Sequence, residues 1–451
     1  FICFNYIYER FVMKYSNKNE AYIIIDSVPG DKSISHRAFM LSAIAEGSTY
    51  ISGISICRDC LSTINCLQSM GIKIDIDISK KTAIVHGKGL YGLSKPENVL
   101  DCQNSATTMR LLSGILSAMP FDSVLSGDSS LKKRPMKRII EPLKLMNGGI
   151  YSLNHDYAPL YIKGGKLNGI KYFSNIPSAQ VKSAILFAGL YAGNTTTVLE
   201  PELSRNHSEL MLKDFGAGIS TDYFKDTSDG FHISTTISNT DKLYSHDIHI
   251  PGDISSAAYF MAAALIIPEM HVLIRNVGIN PTRTGIIKVF KQMGAYVNIY
   301  PAENSGSEPY ADIEIKSSQL HGIVIEGSII PTLIDELPVI CAVSCFAQGT
   351  TIIKDAAELK VKESDRIAVM CSELSKLGAD ITETCDGMII NGKKTLRPSK
   401  INSYYDHRIA MTFAVLNAAI GGGINIKGSE CADISYPGFY NELKKVCQKS
   451  Y

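Results

Sequence analysis

Four short stretches of the chain concentrate side chains that could hold an anion or move a proton. In PGDKSISHR, Lys32, Ser33 and Arg37 stand at the start of an apolar helical run. An ammonium and a hydroxyl in the first turn, with a guanidinium one turn on, can meet one anion at a helix N-terminus, where N–H groups are unpaired. A solvated helix start is the bland alternative, and His36 between them reads as structural. SSLKKRPMKR packs Lys132, Lys133, Arg134, Lys137 and Arg138 into seven residues. It is either an anion-binding loop or a solvated or nucleic-acid-binding patch, and Pro135 restricts the backbone of Arg134. VKESDR places Glu363 and Asp365 between Lys362 and Arg366, so a carboxylate there can give or take a proton. The same residues also suit an ordinary salt-bridged helix start. Asp335 and Glu336, then Asp406, His407 and Arg408, open two further apolar runs. Carboxylates facing a cationic funnel stay ionised and are usable as bases.

These groups belong to a repeat. A short strand or turn, a small polar group and an apolar helix recur from Val28, Leu100, Ile176, Ile250, Ile330 and Tyr404. The helices are apolar almost all round, as in Ala257–Ile267, which predicts burial inside a domain. Strand patterns such as TTTVLE follow them, and amphipathic helices ending in Met-Gly or Leu-Gly lie between copies. The fold class is therefore α/β: six mixed modules, three in each of two similar domains, with the helix N-termini forming a positive funnel. Both walls of the funnel are expected to be cationic and to repel until an anionic ligand draws them together.

Composition narrows the partners. The chain has 451 residues, with Lys+Arg 45 against Asp+Glu 44 and a net charge of +1. Such a balance gives no general attraction to nucleic acid or an anionic membrane, and the longest apolar run is too short to span a bilayer. The scattered cysteines suggest reduced thiols of a cytoplasmic protein, and Cys57 and Cys60 lack the further ligands of a zinc site. The apolar patches before Met13 do not make a signal peptide, and residues 1–12 read as an extension the fold does not need. GMIINGKK ends in Lys394 where a phosphate loop needs Ser or Thr, and GGGI at Gly421 ends a helix.

PGDKSISHR, NSATTMR, RPMKR, SAQVKS, KESDR and DHRIAM, in this order, closely resemble the EPSP synthase (3-phosphoshikimate 1-carboxyvinyltransferase) family from about Val28 to Phe439. The resemblance implies two inverse α/β domains of three βαβαββ-like units each. It divides the chain into 32–250 and 1–31 plus 251–451, hinged near Gly30 and Gly252. The implied reaction joins shikimate 3-phosphate to phosphoenolpyruvate through a tetrahedral intermediate and releases phosphate. It implies no metal or organic cofactor, and a monomer with no nucleic-acid or membrane partner. Lys32, Ser33, Arg37, Ser178, Ala179, Gln180 and Arg205 would hold shikimate 3-phosphate. Asp335 would accept the 5-hydroxyl proton beside Lys362, and Glu363 would move the methylene proton. Lys32 would also reach phosphoenolpyruvate and assist proton transfer at the leaving phosphate. Arg134, Arg366 and Arg408 would clamp phosphoenolpyruvate, with Gln180 touching both substrates and Asn104 and Ala106 shaping the wall.

The chain departs from many members of the family in two places. Ile434 stands where they carry a Lys, and Ala106 where they carry Gly, which implies tolerance of glyphosate. The UDP-N-acetylglucosamine enolpyruvyl transferases share the fold, but they have Asn after the first Lys and a Cys in the basic loop. A six-repeat DNA clamp has the repeat number but no use for the KESDR and DHR carboxylates.

Overall fold

The computed structural model describes residues 22–224, 230–303, 306–392 and 395–448. The expected extension 1–12 and Lys394 lie outside them. The apolar repeat helices form two separate cores, one from Ile34 to Ile250, the other from Ile25, Val28 and residues 254–446. Each core is built on three repeat helices: Lys32–Ile44, Ala106–Leu116 and Ala179–Gly189 in one, Ile254–Ile266, Leu337–Ser344 and His407–Ala419 in the other. All of Ile254–Ile266 is buried, which fits a helix with no polar face. Helices can approach this closely where side chains are small. A Cβ on Gly114 would stand 2.2 Å from the carbonyl oxygen of Ala184 on the neighbouring helix.

Capping fixes where the helices begin. The carboxylates of Asp31, Asp253 and Asp406 accept from Ile34, Ser255 and Arg408 amides at 2.9, 2.8 and 2.9 Å, and Ser105 accepts from Thr108 at 3.1 Å. Each cap therefore places the residue after it, Lys32, Ala106 or His407, at the mouth of its helix.

The four-stranded sheets share one pattern, a leading strand parallel to the second and an antiparallel hairpin beyond it. Leu100–Asp101 runs parallel to Asp122–Ser126, which pairs antiparallel with Tyr157–Lys163, and the far edge of Tyr157–Lys163 takes Gly149–Asn154. Two leading strands are exchanged between the halves. Ile23–Ile25 pairs with Val272–Ile274 in the second half, and Ile248–His249 pairs with Ile51 and Ser52 in the first. The two crossings touch at a Gly30–Gly252 bridge. Only glycine fits there, because a Cβ on Gly30 would lie 1.8 Å from the Gly53 carbonyl oxygen.

The sixth module departs from the expected βαβαββ pattern. Lys400–Asn402 and Asn425–Lys427 form a two-stranded sheet, followed by a 3-10 turn Ser429–Ile434 and helix Phe439–Gln448. Phe439, Leu443 and Val446 are buried at helical spacing, and no alternating apolar run follows Lys427 to make a hairpin. Every described cysteine is a free thiol. His36 is buried against Thr63 at 2.7 Å, and burial pushes its imidazole down to about 3. Among the described residues no helix is long and apolar enough to cross a membrane.

Candidate active site

A cavity of about 190 Å³ lies between the two halves at the mouths of the repeat helices. Lys32, Ser33, Ala106, Arg134, Ser178, Ala179, Gln180, Arg205, Asp335, Lys362, Glu363, Arg366 and Arg408 all line it. Two expected residues do not. Arg37 is 2% exposed, and its guanidinium donates to Ser208 Oγ at 2.6 Å, Ser183 Oγ at 2.7 Å and the Ser33 carbonyl at 2.9 Å. Three acceptors behind the wall turn it away from the cavity, so its influence passes through Ser33. Asn104 also stands back. Its Oδ1 accepts from Arg134 at 2.8 Å and its Nδ2 donates to Asp128 at 2.7 Å, which braces Arg134 from behind.

The lining groups are held by partners on both sides. Lys32 Nζ donates to Asp59 at 2.9 Å, from the helix Arg58–Ser69. Burial works against its charge, but Asp59 and Cys57 outweigh it, so the ammonium is held above its usual range. Gln180 Oε1 accepts from Arg110, and its Nε2 donates to Thr107 at 2.9 Å. Across the cleft, Arg366 is anchored on Asp406 by Nε at 2.8 Å and reaches Glu363 by Nη2 at 2.6 Å. Arg408 meets Glu336 at 3.9 Å, lies beside Tyr259 and Asp335, and faces the cavity.

Two carboxylates sit at the junction. Glu363 lies between Arg366 and, at 3.5 Å, Arg134 of the other half. Asp335 accepts from Arg205 of the other half at 2.5 Å, with Arg366 at 3.4 Å and Lys362 at 3.8 Å. Burial would raise both carboxyls, but Arg366 and Arg134 around Glu363, and Lys362 and Arg205 around Asp335, hold them well below the ordinary range. Both are ionised at neutral pH.

The expected repulsion between two cationic walls is not what the structure has. Carboxylates of one half pair with guanidiniums of the other, because the second wall carries as many acids as bases. Sequence reasoning also missed several wall residues. Arg110 lies within the NSATTMR motif and had a signal, while Arg138, already named in the basic stretch but given no role, also lines the wall. Asp59 sits between Cys57 and Cys60, where attention went to a metal. Arg283 lies outside every repeat helix, so its place had no local signal. Ile434 is not in the cavity wall, and among the described residues no wall residue follows Arg408.

A sequence model of EPSP synthase (3-phosphoshikimate 1-carboxyvinyltransferase) matches residues 23–443. The chain is 47% identical over 425 residues to the 3-phosphoshikimate 1-carboxyvinyltransferase of Bacillus subtilis (strain 168), covering 94% of this chain and 97% of that one. It is 50% identical over 415 residues to the enzyme of that name from Thermoanaerobacter sp. (strain X514), covering 92% and 95%. The solved EPSP synthase of Acinetobacter baumannii superposes with a TM-score of 0.83 at 42% identity, covering 95% of this chain and 96% of that one. The chain belongs to the EPSP synthase family, a class of two-domain α/β transferases.

Proposed function

We propose that the cleft transfers the enolpyruvyl group of phosphoenolpyruvate to the 5-hydroxyl of shikimate 3-phosphate, on the route to aromatic amino acids. The observation that carries this reading is the pair of ionised carboxylates, Asp335 and Glu363, each set among cations from both halves. Asp335 takes the 5-hydroxyl proton as that oxygen bonds to the enol carbon. Glu363 is protonated from solvent once the bound anions neutralise the arginines beside it. It gives that proton to the methylene and takes one back as the carbon–oxygen bond to phosphate breaks, and the proton held by Asp335 leaves with the phosphate. Phosphate leaves toward Lys32, whose ammonium stabilises the growing charge. Bound anions neutralise the arginines around Asp335 and Glu363, and that lifts both carboxyls toward the range where proton transfer is effective.

Lys32, Ser33, Ser178, Ala179, Gln180, Arg205 and Lys362 hold shikimate 3-phosphate in this reading, with Arg37 supporting Ser33. Arg134, Arg366 and Arg408 take phosphoenolpyruvate, with Gln180 between the substrates, Ala106 in the wall and Asn104 bracing Arg134. The halves divide at the Gly30–Gly252 crossing into 32–250 and the remainder. A monomer is the proposed state, and the free thiols favour the cytoplasm. A coupled assay of phosphate release tests the reaction. Release dependent on both substrates is expected, and none with the pair supplied together would overturn it.

Ala106 is the first residue of its helix and lies in the wall. Its methyl removes space that glyphosate, longer than phosphoenolpyruvate, needs. Overpacking of this kind costs about 1–3 kcal/mol, or roughly fivefold to 150-fold in affinity. Ala106→Gly is expected to become about that much more sensitive to glyphosate with its phosphoenolpyruvate KM little changed. Unchanged sensitivity would leave Ala106 as only a good helix former.

A further inference from the structure

The segment Ser204-Arg205-Asn206-His207-Ser208-Glu209 divides its side chains between the two halves. Toward its own core, Ser208 Oγ lies 2.6 Å from Ser183 Oγ and accepts from Arg37, and Glu209 lies 2.7 Å from Lys182 Nζ. Toward the other half, Arg205 donates to Asp335, Asn206 Oδ1 accepts from Asn280 Nδ2 at 2.9 Å, and His207 Nδ1 lies 2.6 Å from Glu308 Oε1. Asn280 also donates to Glu308 Oε2 at 3.1 Å. His207, Asn280 and Glu308 are 1%, 3% and 8% exposed, so these bonds are shielded from water, and none of the three lines the cavity.

Asn206 occupies the N-cap of helix His207–Asp214, where an Asn side chain ordinarily accepts from its own helix. It makes no such bond and serves Asn280 instead. The loop that carries Asn280 also carries Arg283, which donates at 3.1 Å to Asp31, the cap next to Lys32. One loop of the second half thus grips the neighbour of each of two first-half cations.

We propose that Asn280 and Glu308 are positioning residues, an interdomain clasp on Asn206 and His207 that sets Arg205 in place for the phosphate-bearing substrate. This rests on reading the cleft as a shikimate 3-phosphate site. The clasp is complete only with the halves together, so it makes tight binding of that substrate depend on closure.

Steady-state kinetics of Asn280→Ala and Glu308→Ala test it. The KM for shikimate 3-phosphate is expected to rise about fivefold to fiftyfold, with kcat and the phosphoenolpyruvate KM within about threefold. Glu308→Gln can still accept from His207 but sets an N–H donor against Asn280 Nδ2, so its KM should fall between wild type and Glu308→Ala. Ser307→Ala is the control, since Ser307 bonds Asp214 across the same boundary, at the other end of that helix. In an Arg205→Ala background, Asn280→Ala should add almost nothing, because the two act as one unit. Equal rises in both KM values, a rise in Ser307→Ala as large as in Asn280→Ala, or full additivity with Arg205→Ala overturns the clasp. Amide exchange over residues 204–210 gives a readout independent of any substrate. Faster exchange in Asn280→Ala than in Ser307→Ala is expected even if the substrates are other than proposed, and equal exchange overturns the clasp by itself.

Discussion

The two walls of the cleft are built from different charge arithmetic. The first presents Lys32, Arg110, Arg134, Arg138 and Arg205 against Asp59 alone, a net +4. The second presents Arg283, Lys362, Arg366 and Arg408 against Asp253, Asp335, Glu358 and Glu363, a net of zero. A wall with unbalanced positive charge is made to hold anions. A wall in which every acid stands among bases keeps ionised carboxylates ready beside those anions. The difference explains how a chain of net charge +1 can bind two polyanions, and why the halves attract at their meeting edge.

The largest test of that division is Glu363→Gln, on the balanced wall. It should lower kcat by about a hundredfold to ten-thousandfold with both KM values within about threefold, because a general acid–base group is lost. A mainly KM-based defect in that variant would break the comparison. On the cationic side, Arg37→Ala should raise the shikimate 3-phosphate KM about tenfold and leave kcat nearly intact, by loosening Ser33. It should also lower stability by about 1–3 kcal/mol, since Ser183 and Ser208 lose their buried donor. Denaturant titration beside the kinetics separates the two effects, and a kcat loss without a KM change would refute the assignment.

A smaller effect is expected from Arg138→Ala, which removes one unpaired charge of the first wall. Both KM values should rise about twofold to fivefold at low ionic strength and converge on wild type near 0.5 M salt, as screening removes the field. A salt-independent change would mean a direct contact instead.

The smallest prediction concerns a point on which the walls agree, since each hides a neutral imidazole. Burial pushes His36 down to about 3 and His407 to about 4, from 6.5 in the unfolded chain. Below pH 6.5 the unfolded chain binds the extra protons, so stability falls as pH drops toward about 4. Each imidazole adds at most about 1.4 kcal/mol per pH unit to that slope. His36→Gln should make the slope shallower between pH 6.5 and 4.5 in chemical denaturation, and an unchanged slope would exclude His36 as a source.

The legible parts of the molecule were those written locally. The repeat helices announce themselves by unbroken apolar runs with Asp or Ser caps, so Lys32, Ala106 and Arg408 could be set at helix mouths before any geometry was known. Arg37 was misplaced because spacing gives the turn of a helix but not which acceptors compete for a guanidinium. Here two serines from other elements win it. Asp59, Arg283 and the Asn206–Asn280 bond depend on segments far apart in sequence, and no local pattern marks them. The sixth module misled because its helix repeats the pattern while its tail does not.

The exchanged leading strands have a consequence for how such a chain is made. Ile23–Ile25 leaves the ribosome early, yet its partners Val272–Ile274 follow only about 250 residues later, a wait of roughly 12–50 s at typical rates of synthesis. The first half closes earlier, when Ile248 and His249 arrive to finish the sheet begun by Glu46–Ser52. One half can therefore be a folded body while Ile23–Ile25 still lacks the edge it belongs to. A nascent apolar strand in that position is the kind of segment that chaperones and aggregation compete for. The order of synthesis thus leaves Ile23–Ile25 exposed until Val272–Ile274 has been made.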